Sequence, residues 1–183
     1  MNTVDYGPLQ LLIGTWKGEL GSDRVPKTYG EKTNLFRETT VFEGVGQTEN
    51  IDKEILRNVR YVTQIQRIND GKMIHDQVGY YSWIPATDKI MHSFTIPRGM
   101  AVVAGGDYTK YKDGVDLKIT LNAKVDGEWP IAQSEFLNHN SKVTGFEMEL
   151  TIKGDELSYV EHTYMHVFDK DFDHLDQNRL KKV

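Results

Sequence analysis

The stretch Leu11–Gly18, with the sequence LLIGTWKG, contains the pattern from which the fold of this chain is predicted. Its apolar start predicts a short helical turn that plugs one end of a β-barrel, followed by a first strand over residues 13–20. Gly14 and Gly18 allow a sharp bend or a close backbone approach, because glycine has no Cβ atom. Trp16 offers a large ring to close the plugged end, where its indole N–H would need an acceptor.

Alternation of apolar and polar residues continues along the rest of the chain, as is typical of half-buried strands. The clearest case is the stretch 115–125, and residues 146–152 repeat the pattern. Tight turns predicted at Asp70-Gly71, Asp126-Gly127 and Gly154-Asp155 would join neighbouring antiparallel strands. We therefore predict a single all-β domain over residues 1–183, an antiparallel up-and-down barrel of about ten strands. A two-sheet sandwich without a cavity is the alternative.

The remaining boundaries follow from apolar runs and from glycine and proline positions. Glycine pairs at 44 and 46 and at 105 and 106 are expected to interrupt strands, and residues 100–104 fit either a helix or a strand. Further strands are predicted at 33–42, 54–68, 72–84, 89–96 and 157–168, with a loop at 21–30, an irregular segment at 128–141 and a short C-terminal segment at 169–183.

Composition and charge exclude several functional classes. The 183 residues include no cysteine, so disulfides, thiolate metal sites, covalent c-type haem and cysteine nucleophiles are excluded. The 22 basic and 27 acidic side chains are spread evenly, with a net charge of −5, and we expect no nucleic-acid partner. Membrane insertion is not expected, because no apolar run reaches about 18 residues. The N-terminus has no signal-peptide pattern, so we expect a cytoplasmic protein. The oligomeric state is left open.

Three short motifs resemble known families. Gly14-x-Trp16 resembles the first-strand signature of the calycins, the lipocalin and fatty-acid-binding barrels. The longer stretch from Leu12 to Gly18 is similar to the opening of the nitrobindins, a family of ten-stranded haem-binding β-barrels. His75 followed by Gly79-Tyr80 resembles a nitrobindin strand whose histidine lines the haem cavity. Residues 172–175, Phe-Asp-His-Leu, resemble the nitrobindin C-terminal region.

The resemblance implies a cofactor, a ligand and an activity. It implies that haem b binds non-covalently, with His174 as the proximal iron ligand and His75 on the cavity wall. A neighbouring carboxylate would fix the tautomer of His174, and Asp173 and Asp176 are the candidates. The implied chemistry is nitric oxide binding or isomerisation of peroxynitrite to nitrate at the iron. Whether the chain is an enzyme is left open.

A metal-free carrier of a small apolar ligand, such as a fatty acid, is the alternative function. Tyr80, Tyr81 and Trp83 would supply an aromatic wall, and Arg98 could pair with a ligand carboxylate. Met148 and Met165 are candidates to shape the pocket in either case. We also expect a basic residue of the C-terminal segment, Arg179 by preference, to stack on the Trp16 ring.

The other histidines give no metal signature. His162 and His166 are four residues apart on a predicted strand, a separation of roughly 13 Å, which is too far for one metal ion. They are interpreted as exposed or hydrogen-bonded side chains. The adjacent pairs His75/Asp76 and Glu161/His162 point to opposite faces of their strands, so a cofactor-free acid–base mechanism finds little support.

Overall fold

The computed structural model describes residues 4–183, in which ten long strands form a closed antiparallel β-barrel. Residues 1–3, which the single-domain expectation also includes, lie outside the described residues. A 3-10 turn (Gly7–Leu11) precedes the barrel, and a short helix α1 (Glu135–Asn140) interrupts its second half. The strands are β1 (Gly14–Pro26), β2 (Glu31–Asn50), β3 (Glu54–Arg67), β4 (Met73–Ile84), β5 (Lys89–Ile96), β6 (Met100–Lys112), β7 (Val115–Lys124), β8 (Ile131–Gln133), β9 (Ser141–Lys153), β10 (Glu156–Val167) and β11 (Lys170–Lys182).

Strand order confirms the predicted barrel. Strands β1 to β7 pair in sequence, β9 follows β7, and β10 and β11 continue the meander. β11 then pairs antiparallel with β1, and we call this closing pair the seam. The short strand β8 pairs with β6 as an extra strand. Closure leaves no long unpaired edge in the ten-stranded ring, which removes the usual aggregation risk of a sheet edge. Within the described residues, no helix is long and apolar enough to cross a membrane.

The plug at one end of the barrel is built from the first apolar residues of the chain. Leu9, Leu12 and Trp16 are fully buried there. The Trp16 indole Nε1–H donates to the carbonyl oxygen of Leu12 at 2.7 Å, so the buried polar atom is satisfied. The cation over the Trp16 ring is Lys182, whose Nζ lies 5.1 Å from a ring centroid.

The expected stacking of Arg179 on Trp16 was wrong. Arg179 lies three residues from Lys182 on β11, and strand residues an odd number apart project to opposite faces. Its guanidinium Nε instead pairs with Glu156 at 3.3 Å. A basic residue of the C-terminal segment therefore does lie over the Trp16 ring, but strand parity makes this residue Lys182 and not Arg179.

Several predicted interruptions are irregularities within longer strands. β1 continues to Pro26 through a register shift between Gly18 and Gly21, where a loop was expected. A Cβ atom on Gly21 would lie 2.1 Å from the Phe36 ring, so only glycine allows the strand to pass over this side chain. β2 likewise runs through a register shift between Gly44 and Gly46. These glycines bend the long strands around the barrel instead of ending them.

Three other segments also differ from the prediction. β6 passes through Gly105 and Gly106, because the Trp129 ring packs where a Gly105 side chain would stand. The segment 128–141 contains β8 and α1, and Ser134 caps the helix. Residues 170–182, expected as a short terminal segment, form the closing strand β11. The strand shows no apolar–polar alternation, because several of its inward-facing side chains are themselves polar and line the cavity.

Candidate ligand-binding cavity

The barrel encloses a cavity of about 600 Å³ that opens at the end opposite the plug. Its size lies within the range of roughly 300–1,000 Å³ that is usual for small-molecule sites. Basic side chains surround the mouth, contributed by the ends of β1 and β3 and by the following turns: Lys27, Arg67, Lys72 and Arg98.

The two walls of the cavity have different chemistry. The wall formed by β5, β6 and β9 is apolar, with Phe94, Met100, Val143, Met148 and Leu150 among its side chains. The wall formed by β1, β2, β10 and β11 instead carries ionisable groups. We call Asp23, Glu161, His174 and Asp176 on this wall the seam cluster.

Hydrogen bonds of the seam cluster are centred on His174. Its Nε2 atom lies 2.8 Å from Asp23 Oδ1 and 3.4 Å from Asp176 Oδ2. Asn34 also donates to Asp23, through Nδ2 to Oδ2 at 3.0 Å. His174 Nδ1 forms no hydrogen bond with residues 4–183. The imidazole therefore has one nitrogen held by carboxylates and one without a protein partner.

Burial and mutual charge shift the pKa values in the cluster. Burial raises the pKa of Glu161 to about 8 and that of Asp176 to about 7, and neighbouring carboxylates add to both. Although burial also acts on Asp23, the hydrogen bonds from His174 and Asn34 lower its pKa. Burial opposes the charged form of His174, but the Asp23 hydrogen bond and the acidic neighbours raise its pKa overall. Of the three carboxyl groups in the seam cluster, Asp23 is the one whose charged form is favoured.

Glu38 and Glu161 line the same wall but differ in their partners. Glu38 accepts hydrogen bonds from Thr40, Tyr159 and Asn178, at 2.8–2.9 Å. Glu161 lies inside the barrel and has no hydrogen-bond partner among residues 4–183. Glu38 is thus part of the wall structure, whereas the Glu161 carboxyl group faces the cavity without a protein contact.

His75 belongs to a second hydrogen-bonded chain. His75 Nε2 lies 2.9 Å from Gln77 Oε1, the Gln77 amide donates to the Tyr61 hydroxyl, and Tyr61 lies 2.7 Å from His92 Nε2. Since the Gln77 amide nitrogen donates to Tyr61, the hydroxyl proton must go to His92, and Gln77 Oε1 accepts from His75. His75 therefore carries its proton on Nε2. Burial lowers its pKa, which favours the neutral ring with a bare Nδ1.

Most of the pocket residues named from the sequence lie on the cavity wall. His75, His174, Arg98, Met148 and Met165 all line it. Tyr81 lines it as well and donates from its hydroxyl to Met148 Sδ at 3.5 Å.

Three sequence-based placements need correction. Trp83 lies near the C-terminal end of β4, which is at the plugged end of the barrel, and its ring packs there against Gly7. Tyr80 is 45% exposed and faces outward, since it has the opposite parity to Tyr81. Asp173 also faces outward and accepts a hydrogen bond from His162 Nδ1 at 2.9 Å, so Asp176 is the carboxylate of the original pair that reaches His174.

Sequence reasoning missed Asp23, Gln77 and the role of Glu161 as a cavity residue. Gln77 shares the strand face of His75, and Glu161 shares that of Thr163 and Met165, so strand parity could have found both. Asp23 was assigned to a loop, and no local signal places it beside His174. His162 and His166 pair with Asp173 and Asp171 on the outer face.

Together, the barrel and its histidine-lined cavity define the chain as a small-molecule-binding β-barrel. Residues 5–182 match the family described as "THAP4-like, heme-binding beta-barrel domain", and the chain belongs to this family. The fold is similar to that in the crystal structure of Rv2717c from M. tuberculosis, with a TM-score of 0.74 and 22% sequence identity over 99% of each chain. No curated protein sequence matches the chain. The expected resemblance to haem-binding barrels is therefore confirmed at the level of the family.

Proposed function

We propose that this protein binds haem b non-covalently in the barrel cavity, with His174 as the axial ligand of the iron. The proposal rests on the hydrogen bonding of the two ring nitrogens of His174, which lines the cavity wall. Asp23 holds Nε2, and Nδ1 has no partner among residues 4–183. A carboxylate on the far nitrogen orients an imidazole ligand and increases its basicity. Membership of a haem-binding family supports haem as the cofactor.

The chemistry of the cavity suits the parts of a haem molecule. The apolar wall of β5, β6 and β9 is suited to a porphyrin face. The acidic wall is suited to the positive charge of ferric iron, while Lys72 and Arg98 at the mouth would hold the two propionate groups. Ligation needs an unprotonated nitrogen, so His174 must release the proton that its raised pKa favours.

With haem bound, the iron would bind nitric oxide or peroxynitrite, and isomerisation of peroxynitrite to nitrate is the activity we propose. The protein positions the cofactor and controls access of water and protons. Met148 and Phe94 keep part of the cavity apolar. His75 offers a bare Nδ1, which can accept a proton or a hydrogen bond but cannot donate one while Gln77 holds Nε2–H.

Titration with haemin tests the cofactor and its ligand. Wild type should give a 1:1 complex with a shifted Soret band, and His174→Ala should lose it. His75→Ala should still bind, and His162→Ala, on the outer face, should match wild type. Absence of a Soret shift with wild type would refute haem binding, and loss in His75→Ala alone would show that His75 is the ligand.

Activity requires a separate measurement. Stopped-flow decay of peroxynitrite, with quantification of nitrate and nitrite, should show faster decay and a higher nitrate yield with the haem complex than with apoprotein. Equal yields would leave haem binding intact and remove the proposed activity. If wild type binds no haem, displacement of a fluorescent fatty-acid probe tests the carrier alternative, in which Arg98→Ala should weaken binding only of ligands with a carboxylate.

A further inference from the structure

We propose that the seam cluster also binds a divalent transition-metal ion directly, without porphyrin, through Asp23, His174, Asp176 and Glu161. The site would use His174 Nε2, whereas haem would use Nδ1. The inference goes beyond haem binding and does not depend on it.

The geometry of three of the groups fits a metal site. One donor atom from each of Asp23, His174 and Asp176 lies within 4.8 Å of the other two. Nε2 of His174 is 2.8 Å from the Asp23 oxygen and 3.4 Å from the Asp176 oxygen. Neighbouring ligands of a tetrahedral zinc ion lie about 3.3 Å apart, given bond lengths near 2.0–2.1 Å. The two separations from Nε2 are therefore close to that between neighbouring ligands of one ion.

Glu161 provides the second observation that points to a ligand. It is paired with Asp176 in the ladder between β10 and β11, and its side chain enters the same cavity. The carboxyl group has no hydrogen-bond partner in the described residues, in contrast to Glu38 on the same wall. Because the side chain is partly exposed to the cavity, its carboxyl group is accessible to an ion bound there. The Glu161 oxygens lie outside the group of donor atoms within 4.8 Å, so Glu161 would bind the ion as a fourth ligand after a rotation of its side chain.

The charge of the cluster also favours a cation. Three carboxyl groups surround one imidazole, and within residues 4–183 no lysine or arginine forms an ion pair with any of them. Of the neighbouring arginines, Arg24 pairs with Asp173, and Arg67 pairs with Asp70. A divalent ion would give these carboxyl groups a positively charged partner.

The donor atoms indicate which metal ions would bind. One imidazole nitrogen and up to three carboxylate oxygens suit Zn²⁺, Co²⁺, Fe²⁺ or Mn²⁺, and the chain has no thiolate to select softer ions. Zn²⁺ accepts both imidazole and carboxylate ligands and has no redox chemistry, which makes it a suitable probe ion. Because His174 serves both ligands, metal ion and haem should compete for the apoprotein.

Isothermal titration of chelator-treated apoprotein with Zn²⁺ tests the proposal, with Co²⁺ absorption as a report on coordination. Wild type should bind one ion. Glu161→Gln and Asp176→Asn should each weaken binding by at least about tenfold, the lower end of the loss seen even for outer-shell partners. His166→Gln is the matched control, because His166 pairs with Asp171 on the surface and should leave the affinity unchanged.

The outcomes separate this proposal from the haem assignment. Absence of 1:1 Zn²⁺ binding, or equal affinity in wild type and both carboxyl variants, would overturn the metal site. Loss of affinity only in His166→Gln would assign the ion to the surface and overturn it as well. Circular dichroism of each variant shows whether it folds, and Glu161→Gln should still bind haemin within a fewfold of wild type. Zn²⁺ binding without haemin binding would support the metal site and refute the proposed cofactor.

Discussion

His174 Nε2 lies 2.8 Å from Asp23 Oδ1, across the pair of strands that closes the barrel. The two residues are separated by most of the chain length, and the contact forms only when β11 pairs with β1. The carboxylate accepts from Nε2, so the ring orientation and the free nitrogen of His174 are both set by this contact.

Loss of the Asp23 carboxylate should weaken haem binding without removing the iron ligand. Asp23→Asn keeps the size of the side chain but removes its charge, so His174 becomes less basic. We expect haemin affinity to fall by about 10- to 100-fold, as is typical for a changed outer-shell partner. Haemin titration followed at the Soret band measures this. An affinity equal to wild type would show that Asp23 does not support the ligand.

The Gln77 amide should control which nitrogen of His75 carries the proton. Gln77→Leu removes the acceptor of Nε2–H and leaves Tyr61 without its donor, so we expect a mixture of His75 tautomers and a loss of about 1–3 kcal/mol of stability. Nitrogen-15 NMR of the imidazole reports the tautomer directly. Gln77→Glu retains the acceptor and is the control, in which the Nε2–H form should persist.

Buried His92 should make the apoprotein sensitive to acid. Burial lowers the pKa of His92 to about 3, its Nδ1 has no partner in the described residues, and its ring stacks on Tyr81 at 4.0 Å. Between about pH 6.5 and pH 3 the unfolded chain binds the proton and the folded chain does not, so this contribution to stability is lost as the pH falls.

The variant His92→Gln isolates this effect. Its free energy of unfolding should change less between pH 7 and pH 4 than that of wild type, by about 3 kcal/mol, since one pKa unit corresponds to about 1.4 kcal/mol. Urea unfolding at both pH values gives the comparison. The difference between the two proteins is needed because Glu161 and Asp176, whose pKa values are raised, have the opposite pH dependence. Parallel pH profiles would contradict the assignment.

The plug should depend on the Trp16 indole more than on the cation above it. Trp16→Phe removes the hydrogen bond to Leu12 and leaves a space in a fully buried site, for an expected loss of about 2–3 kcal/mol. Lys182→Met keeps most of the side-chain contact and removes only the charge, with an expected loss below about 1 kcal/mol. Chemical denaturation of both variants tests the order, and a larger loss in Lys182→Met would reverse it.

Local sequence patterns determined most of the barrel. Period-two alternation and tight-turn residues identified the strands between Glu54 and Ile96, because both signals act over a few residues. The same patterns failed at Gly21 and Gly105, which were interpreted as breaks. There, the deciding contacts are the Phe36 and Trp129 rings, and each comes from another part of the chain.

In the candidate site, too, some residues could be predicted from local sequence patterns and others only from the tertiary structure. His75 and His174 were found from short motifs, and strand parity within β4 and β10 already contained Gln77 and Glu161. The absence of cysteine also excluded thiolate ligands without any structure. Only the tertiary structure placed Asp23 beside His174, because the register between β1 and β11 depends on barrel closure. Pairing between the two ends of a chain leaves no local pattern, since its stabilising contacts exist only after the whole sheet has curved into a ring.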